Sequence, residues 1–501
     1  MTSRALFVFV EIEGIPVVAG KLDIESTPTG KIGSFVYAKS YLSRQDAFPL
    51  DPLNLALEER LFQTTQPNYI FGVFNDAAPD LWGKKVIESL YPEPAPDDRK
   101  YLLFGSGQGV GALMFATSLD LKESPTLPSE KRLENLAKMQ QGAMLINRKE
   151  DLPETLKKYL QGGISMGGHR PKTVIEYQGK QWLVKFSNKE DLYDHPKAEF
   201  AALQMARALG MDTPNHIITE TKRGSALLTE RFDRSGTQRL HYISAYALLN
   251  RQMSEPDLQR YWSYPALADL IGKLSSSPQE DRTELYKRMV FNIAIGNSDD
   301  HPRNYGFLKN AKDHLYRLCP FFDVMTQEKT ALEMVQAMTV GDYGAASTFE
   351  NALSQAGRFG LTHSQARAIV DKTIEVVSQR YDYYERAGLS AKDIDKIEMR
   401  VKLRLGERDR VEEFLSKPHL EIKPADLANG NYRGKIIAID SWRIIQQIGK
   451  NRAIQHNVAC FDSIPKKGQP VKIHYQNGIA QIEKLSERKK QGKEKDHGLE
   501  R

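Results

Sequence analysis

"MVFNIAIGNSDDHPRNYGF", residues 289–307, decides how the rest of the chain is read. An apolar run (Met289, Val290, Phe291, Ile293, Ala294, Ile295) stops at Gly296, the residue type that most readily ends a helix. Asp299, Asp300, His301, Arg303 and Asn304 then crowd into six positions. A buried helix followed at once by carboxylates, an imidazole and an amide describes an anchored loop that presents polar groups to a cleft. Asp299 and Asn304 are spaced D-x-x-x-x-N, as in the catalytic loop of phosphoryl-transfer enzymes.

Upstream, "GGISMGGHRPKTVIEYQGKQWLVKF" (162–186) reads as a glycine loop, a strand over Thr173–Tyr177, a Gln-Gly-Lys turn and a strand over Gln181–Phe186. "DHPKAEFAALQMARALG" (194–210) reads as a helix, with Asp194 as N-cap, Phe200, Leu203 and Met205 apolar, and Gly210 as the stop. "GSALLTERFDR" (224–234) is a strand running into a polar corner. Downstream, "YRLCPFFDVMT" (316–326) carries Asp323 behind Phe321 and Phe322. A glycine loop, a lysine on the next strand, a helix with a Glu and a distant carboxylate cluster are the parts that phosphoryl transfer needs, because its loose transition state is stabilised by positioning and charge. On that reading Lys185 holds the α/β-phosphates of ATP, Glu199 orients Lys185, and Asp299 accepts a hydroxyl proton. Asn304 and Asp323 offer Mg²⁺ the oxygen ligands that a hard cation takes.

Two other readings of the cluster exist. Asp299, Asp300 and His301 would cap the preceding helix and solvate a loop, or they would belong to a metal-dependent phosphoesterase. The second reading lacks a further His/Asp cluster and leaves the glycine loop and Lys185 without a role.

The remainder sets the frame. Residues 1–115 mix strands and short helices, opening with a strand in "MTSRALFVFVEIEG" that is too short for a signal-peptide core. "YIFGVFNDAAPDLWGKKVIESLY" (69–91) reads as strand, turn, and a helix opened by Pro79 and Asp80. "LLFGSGQGVGALMF" (102–115) fits neither phosphate-binding glycine pattern and reads as a mobile turn between two strands. Residues 129–161 and most of 241–415 are helical in pattern. After Lys417-Pro418, residues 432–485 alternate like short antiparallel strands, with Asn-Gly at 477–478 as a hairpin turn. About five strands in that length suggest a small closed barrel.

Net charge is +6, yet residues 429–484 alone carry nine Lys/Arg against three Asp/Glu, so the basic character is C-terminal. Tyr432, Trp442, Phe461 and Tyr475 interleave with those cations, a pattern suited to single-stranded nucleic acid, but aromatics in so small a barrel are more often core. Only two cysteines occur and no apolar stretch is long enough to span a bilayer, which excludes a disulfide framework and points to a reducing cytoplasm.

With those residues in view, the chain resembles the HipA-like Ser/Thr kinases of bacterial toxin–antitoxin systems over roughly residues 5–410. The resemblance rests on "SMGGHRPKT" (165–173), "WLVKF" (182–186), "LLTERFDR" (227–234), "FNIAIGNSDDHPRN" (291–304) and "PFFDV" (320–324). It implies a phosphate loop containing Gly167, Gly168 and Lys172, with Ser165 as an inhibitory autophosphorylation site. It further implies Lys185 as the ATP lysine, Glu230, Arg231 and Phe232 as the hinge, and His301 as an ATP contact. Asp299 falls on the catalytic Asp, and Asn304 and Asp323 on the metal ligands. The implied target is a translation component such as an aminoacyl-tRNA synthetase, and the implied partner is a helix-turn-helix antitoxin. The C-terminal segment, with "GNYRGKIIAID" and "GQPVKIHYQNGIAQIEKL", resembles the KfrB-type domain of plasmid-encoded proteins.

The expectation is therefore an α+β, bilobal protein-kinase-like fold. An accessory subdomain occupies 1–115, the N-lobe 116–240, the helical C-lobe 241–418, a small basic β-barrel 425–485, and a disordered charged tail 486–501. The competing expectation is a catalytically weak scaffold that binds nucleic acid through the barrel.

Overall fold

The computed structural model describes residues 5–485, apart from 29, 65–68, 93–95, 122–125, 163–167, 169, 189, 250–261, 310–312, 327–334, 399–400, 402–420, 440–442, 458–459, 462–464, 467 and 477. Ser165, Gly167, Trp442 and the tail 486–501 lie outside the described residues. Two compact units result, Met1–Val401 and Lys402–Arg501.

Five antiparallel strands open the first unit: β1 (Leu6–Ile12), β2 (Ile15–Thr27), β3 (Gly30–Tyr37), β4 (Phe62–Thr64) and β5 (Leu113–Ala116), in the order β4-β3-β2-β1-β5. Their inward residues Leu6, Val8, Val10 and Phe35 share one continuous core with Leu267, Met289, Val290 and Phe307 of the helical part. The segment 69–91 departs from expectation. It forms a helix over Gly72–Ala77 and a second over Leu81–Leu90. Val73, Phe74 and Ala77 are all buried at helical spacing, and Gly72 packs so closely that a Cβ there would come 2.7 Å from the Ala247 Cβ. Residues 98–104 are likewise helical, so only one strand, β5, borders the glycine turn.

The second sheet has the order β6-β7-β9-β8, formed by β6 (Lys172–Tyr177), β7 (Lys180–Phe186), β8 (His216–Thr221) and β9 (Gly224–Glu230). Alternation along β7 buries Trp182, Val184 and Phe186 in a core with Trp82, Ile87 and Met139, which leaves Lys185 on the opposite face. Lys172 stands directly opposite Lys185 in the β6/β7 register. The helix His195–Ala208 packs against β8 and β9, and its Asp194 cap accepts from the Lys197 N–H at 3.1 Å. A short ribbon, β10 (Arg234–Ser235) and β11 (Gln238–Arg239), leads into the helical part.

There the helix Pro278–Ile295 is central, packed between Tyr264–Leu274 and His363–Ser378. Pro278 and the acidic Glu280 and Asp281 suit its first turn, and Gly296 ends it with φ +69°. Beyond it a three-stranded sheet, β12 (Tyr242–Ser244), β13 (Gly306–Lys309) and β14 (Tyr316–Leu318), closes behind the loop that follows the helix. No helix among the described residues is long and apolar enough to cross a membrane.

The second unit is a six-stranded sheet in the order β15-β18-β17-β16-β19-β20: β15 (Glu421–Pro424), β16 (Asn431–Ile439), β17 (Arg443–Gly449), β18 (Arg452–Asn457), β19 (Pro470–Gln476) and β20 (Ile479–Lys484). Among the described residues β15 and β20 do not pair with each other, so barrel closure is not observed. Three of the interleaved aromatics, Tyr432, Phe461 and Tyr475, belong to the core, the commoner of the two expectations. Tyr432, Phe461 and Tyr475 surround the buried His456, whose ring nitrogens lie 3.0 Å from the Tyr475 hydroxyl and 3.1 Å from Gln446 Oε1. Burial pushes the His456 pKa down to about 3.

Candidate active site

The site is built on Lys185. Its Nζ donates to both oxygens of Glu199, at 2.6 and 2.8 Å, and to Oδ1 of Asp323 at 2.7 Å. One ammonium thus joins β7, the helix His195–Ala208 and the segment after β14. Burial works against the Lys185 charge, but the two carboxylates outweigh it and hold its pKa above the ordinary lysine value. Glu199 is 4% exposed, and burial raises its pKa despite Lys185. Asp323 differs, with a side chain 45% exposed. Desolvation opposes its charge too, but Lys185, then Lys172 and His301, hold it at about 2.

Asp323 has φ +57°, a left-handed backbone that an Asp adopts at a cost of about 1–3 kcal/mol. Its neighbours enforce it. The Phe321 N–H donates to the Asp212 carbonyl at 2.7 Å, Phe322 packs on Phe232 at 5.4 Å, Val324 is fully buried, and Thr326 Oγ1 donates to the Ile295 carbonyl at 2.8 Å. Backbone strain of this kind, fixed from both sides, is the usual mark of a functional position.

The loop 297–304 is anchored by Asp300, not Asp299. Buried Asp300 accepts at Oδ2 from Asn292 and Tyr305, each at 2.6 Å, and from the Tyr264 hydroxyl. Burial raises its pKa to about 6, against those donors. Asp299, one residue earlier, is exposed. Asn304 is buried and turns its Nδ2 back to the Asp299 carbonyl at 3.4 Å. His301 is half-buried, with its Nδ1 unpartnered among the described residues, and its charge acts on both Asp300 and Asp323. The answer to the crowding at 299–304 is a division of labour: one carboxylate holds the loop, the next is presented by it.

The hinge residues separate into different roles. The Glu230 carboxylate is taken by Lys180 at 2.7 Å and Asn215 at 2.8 Å. Half-buried Phe232 leans on Phe322, next to Asp323. Arg231 is sealed inside: its guanidinium, 1% exposed, donates to Asp233 at 2.8 and 3.0 Å, to the Gly109 carbonyl at 2.7 Å and to Gln108 at 3.2 Å. Arg234 and Arg239 add the carbonyls of Gly111 and Gly107, while the Gly111 N–H donates to Asp233 at 2.7 Å. The glycine turn at 105–111, expected to be mobile, is therefore pinned by three arginines. Its glycines permit close approach: a Cβ on Gly109 would come 2.4 Å from the Ala77 carbonyl oxygen.

Of the phosphate loop, Gly168 is described and has φ +102°, while Ser165 and Gly167 lie outside the described residues. Lys172 sits at the start of β6 with its side chain 2% exposed, paired with Asp80 at 2.9 Å. No group of three or more His, Cys, Asp or Glu among the described residues is arranged to hold a metal. That donor set still suits Mg²⁺, which takes one or two protein oxygens and completes its shell with phosphates and water. Asp323 and Asn304 supply such oxygens. Reading the sequence missed Asp300 as anchor, Asp233 as clamp and Asp80 as partner of Lys172. Only the Asp-Asp doublet at 299–300 and the Arg-Phe-Asp-Arg run hinted at them.

A lysine tied to a helix carboxylate and a second, exposed carboxylate, facing an anchored loop, defines a site of the kinase-like class. Residues 164–381 match the HipA-like C-terminal domain, and residues 431–484 match the KfrB domain. The chain is thus similar to HipA-like proteins over residues 164–381 and to KfrB domains over residues 431–484. The serine/threonine-protein kinase toxin HipA of Shewanella oneidensis is 26% identical over 209 residues, 36% of this chain and 47% of that protein. A putative kinase of Haemophilus influenzae is 24% identical over 192 residues, 34% of this chain and 55% of that protein. The chain spans about half the length of these curated relatives. Among solved structures, the Shewanella oneidensis HipA in complex with HipB and operator DNA matches with a TM-score of 0.55 at 18% identity, covering 80% of this chain and 96% of that one. That likeness is one of fold.

Proposed function

We propose that this chain is a Mg²⁺/ATP-dependent protein serine/threonine kinase acting as a growth-inhibiting toxin. The observation that carries the reading is Lys185 bridging Glu199 and Asp323. ATP supplies the phosphoryl group and Mg²⁺ the charge that neutralises it. Lys185, fixed by Glu199, holds the α/β-phosphates, and Asp323 and Asn304 hold the metal. Phe232 and Phe322 offer the base half-buried apolar rings. Asp299, exposed at the loop's start, accepts the hydroxyl proton of the target residue as the new P–O bond forms, and the bond to the ADP leaving group breaks.

By family resemblance, the target is a translation component such as an aminoacyl-tRNA synthetase, Ser165 is the autophosphorylation site, and a DNA-binding antitoxin restrains the enzyme in the cytoplasm. The Shewanella relative, which is bound to HipB and operator DNA, supports the antitoxin. The scaffold reading is weakened because Tyr432, Phe461 and Tyr475 pack in the core of the KfrB domain. Its solvent side includes a cross-strand row of Arg433, Lys472 and Glu483.

The test is intact mass before and after incubation with Mg²⁺-ATP, beside phosphate transfer to a panel of protein substrates. Asp299→Asn is expected to lower transfer by about 10²–10⁴-fold with the fold intact. Full activity in that variant would sink the assignment. So would a wild-type chain that neither binds Mg²⁺-ATP nor gains phosphate.

A further inference from the structure

Lys172 and Lys185 are directly opposed across β6 and β7, so their side chains leave the same sheet face. Lys185 is satisfied by the site's own carboxylates. Lys172 is satisfied from elsewhere in the chain, by Asp80 at the start of the helix Leu81–Leu90. The contact is double. Asp80 Oδ2 takes the Lys172 ammonium at 2.9 Å, and the neighbouring Trp82 Nε1 donates to the Lys172 carbonyl at 2.8 Å. Asp80 is itself locked, since its Oδ1 caps the helix by accepting the Gly83 N–H at 2.6 Å. Trp82 is 1% exposed in the core beneath β6 and β7. At the other end of the lysine, a Cβ on Gly168 would lie 3.1 Å from the Lys172 Nζ, so the ammonium sits against the glycine loop that precedes β6.

We propose that Asp80, in the N-terminal subdomain, is a positioning residue for the ATP site: it fixes the Lys172 ammonium beneath Gly168. The inference rests on the kinase reading. Asp80 never touches nucleotide and acts through Lys172. A lysine this deeply buried needs a counter-charge, and its register partner Lys185 already engages the carboxylates of Glu199 and Asp323. Losing Asp80 therefore loosens the root of the loop and disturbs the pair that must receive Mg²⁺-ATP. The N-terminal strands and helices thereby become part of nucleotide binding.

The test compares wild type, Asp80→Asn, Lys172→Met, Lys172→Arg and the Asp80→Asn/Lys172→Met double variant in the full chain. Binding of Mg²⁺-ATP is measured by calorimetry, with melting temperature recorded for each. Asn retains the helix cap, and the melting temperature reads separately what the unpaired Lys172 costs the fold. Asp80→Asn is expected to weaken Mg²⁺-ATP binding by about tenfold or more, as supporting-shell changes do. In turnover KM for ATP rises while kcat at saturating ATP stays within about twofold. Lys172→Met, which removes a residue of the phosphate loop itself, weakens Mg²⁺-ATP binding at least as much, the double variant is no worse than Lys172→Met alone, and Lys172→Arg keeps most of the affinity. Wild-type affinity in Asp80→Asn, or additive losses in the double variant, overturns the proposal and leaves the kinase reading standing. A wild-type chain that does not bind Mg²⁺-ATP overturns both.

Discussion

Two clusters of opposite charge, both inside the first unit, differ in one respect that decides their purpose. In the Lys185–Glu199–Asp323 cluster one member is 45% exposed and sits on a left-handed backbone. In the Arg231–Asp233–Arg234 cluster no side chain exceeds 6% exposure, and the side-chain partners are other members or backbone groups of the cluster and the glycine turn. The first can exchange a partner for a ligand, whereas the second cannot without unfolding. Composition does not separate them. Access does.

The sharpest way to break this comparison is to remove the central charge of each. Lys185→Met should lower phosphate transfer by about 10³-fold or more, through loss of fixed positive charge at the phosphates. Its melting temperature should change little, because Glu199 can take a proton and Asp323 reaches solvent. Asp233→Asn should do the reverse. Burial opposes the Asp233 charge, yet Arg231 and Arg234 hold its pKa far below the usual carboxylate range. Removing that charge strands two buried guanidinium groups, at a cost of about 3–5 kcal/mol read by denaturant unfolding. Protein that remains folded should bind Mg²⁺-ATP as before. If Asp233→Asn unfolds normally but loses ATP affinity, the sealed cluster is part of the site and the distinction fails.

The difference also explains what the sequence revealed. Lys185, Glu199 and Asp323 were legible because phosphoryl transfer demands those residue types on a strand, a helix and a strand end, and the local patterns placed each element. Asp194 as cap and Gly210 and Gly296 as stops were legible for the same local reason. The tie between Arg231 and the glycine turn was missed, and 105–111 read as mobile, because those bonds join residues more than 120 positions apart. No local rule records such a pairing. The Gly72–Ala77 helix was read as a strand because a short apolar run fits either period until its packing partner, Ala247, is known. In the KfrB domain, alternation gave strands but not their order, because strand order is set by pairing between distant segments.

A third, smaller effect concerns Lys131, which is 1% exposed and donates to Thr173 Oγ1 at 2.7 Å. Burial pushes its ammonium down to about 7. An unfolded lysine keeps its proton well above that pH, so between about pH 7 and pH 10 the unfolded chain binds more protons and stability rises with pH. The cost of burying Lys131 is fully present below pH 7. Lys131→Met is therefore expected to stabilise the protein by about 2–4 kcal/mol at pH 6, the gain shrinking as pH approaches 10. A gain that does not vary across that range would mean that Lys131 stays charged and paired.

The adjacent residue sets the lower bound. Arg132 pairs with Glu176 at 2.7 Å, the same distance as Lys185 to Asp323 in the site, but the two side chains are 47% and 39% exposed. Water screens that pair, and ordering two long side chains offsets most of the attraction, so Arg132→Ala should cost no more than about 0.5 kcal/mol. The local backbone should survive, since the Glu176 N–H donates to the Lys131 carbonyl and not to any side chain. Denaturant unfolding at low and high salt decides it. A small loss that disappears in salt places Arg132 with the solvated surface, whereas a salt-resistant loss above 1 kcal/mol would mean that distance, not access, governs what an ion pair contributes here.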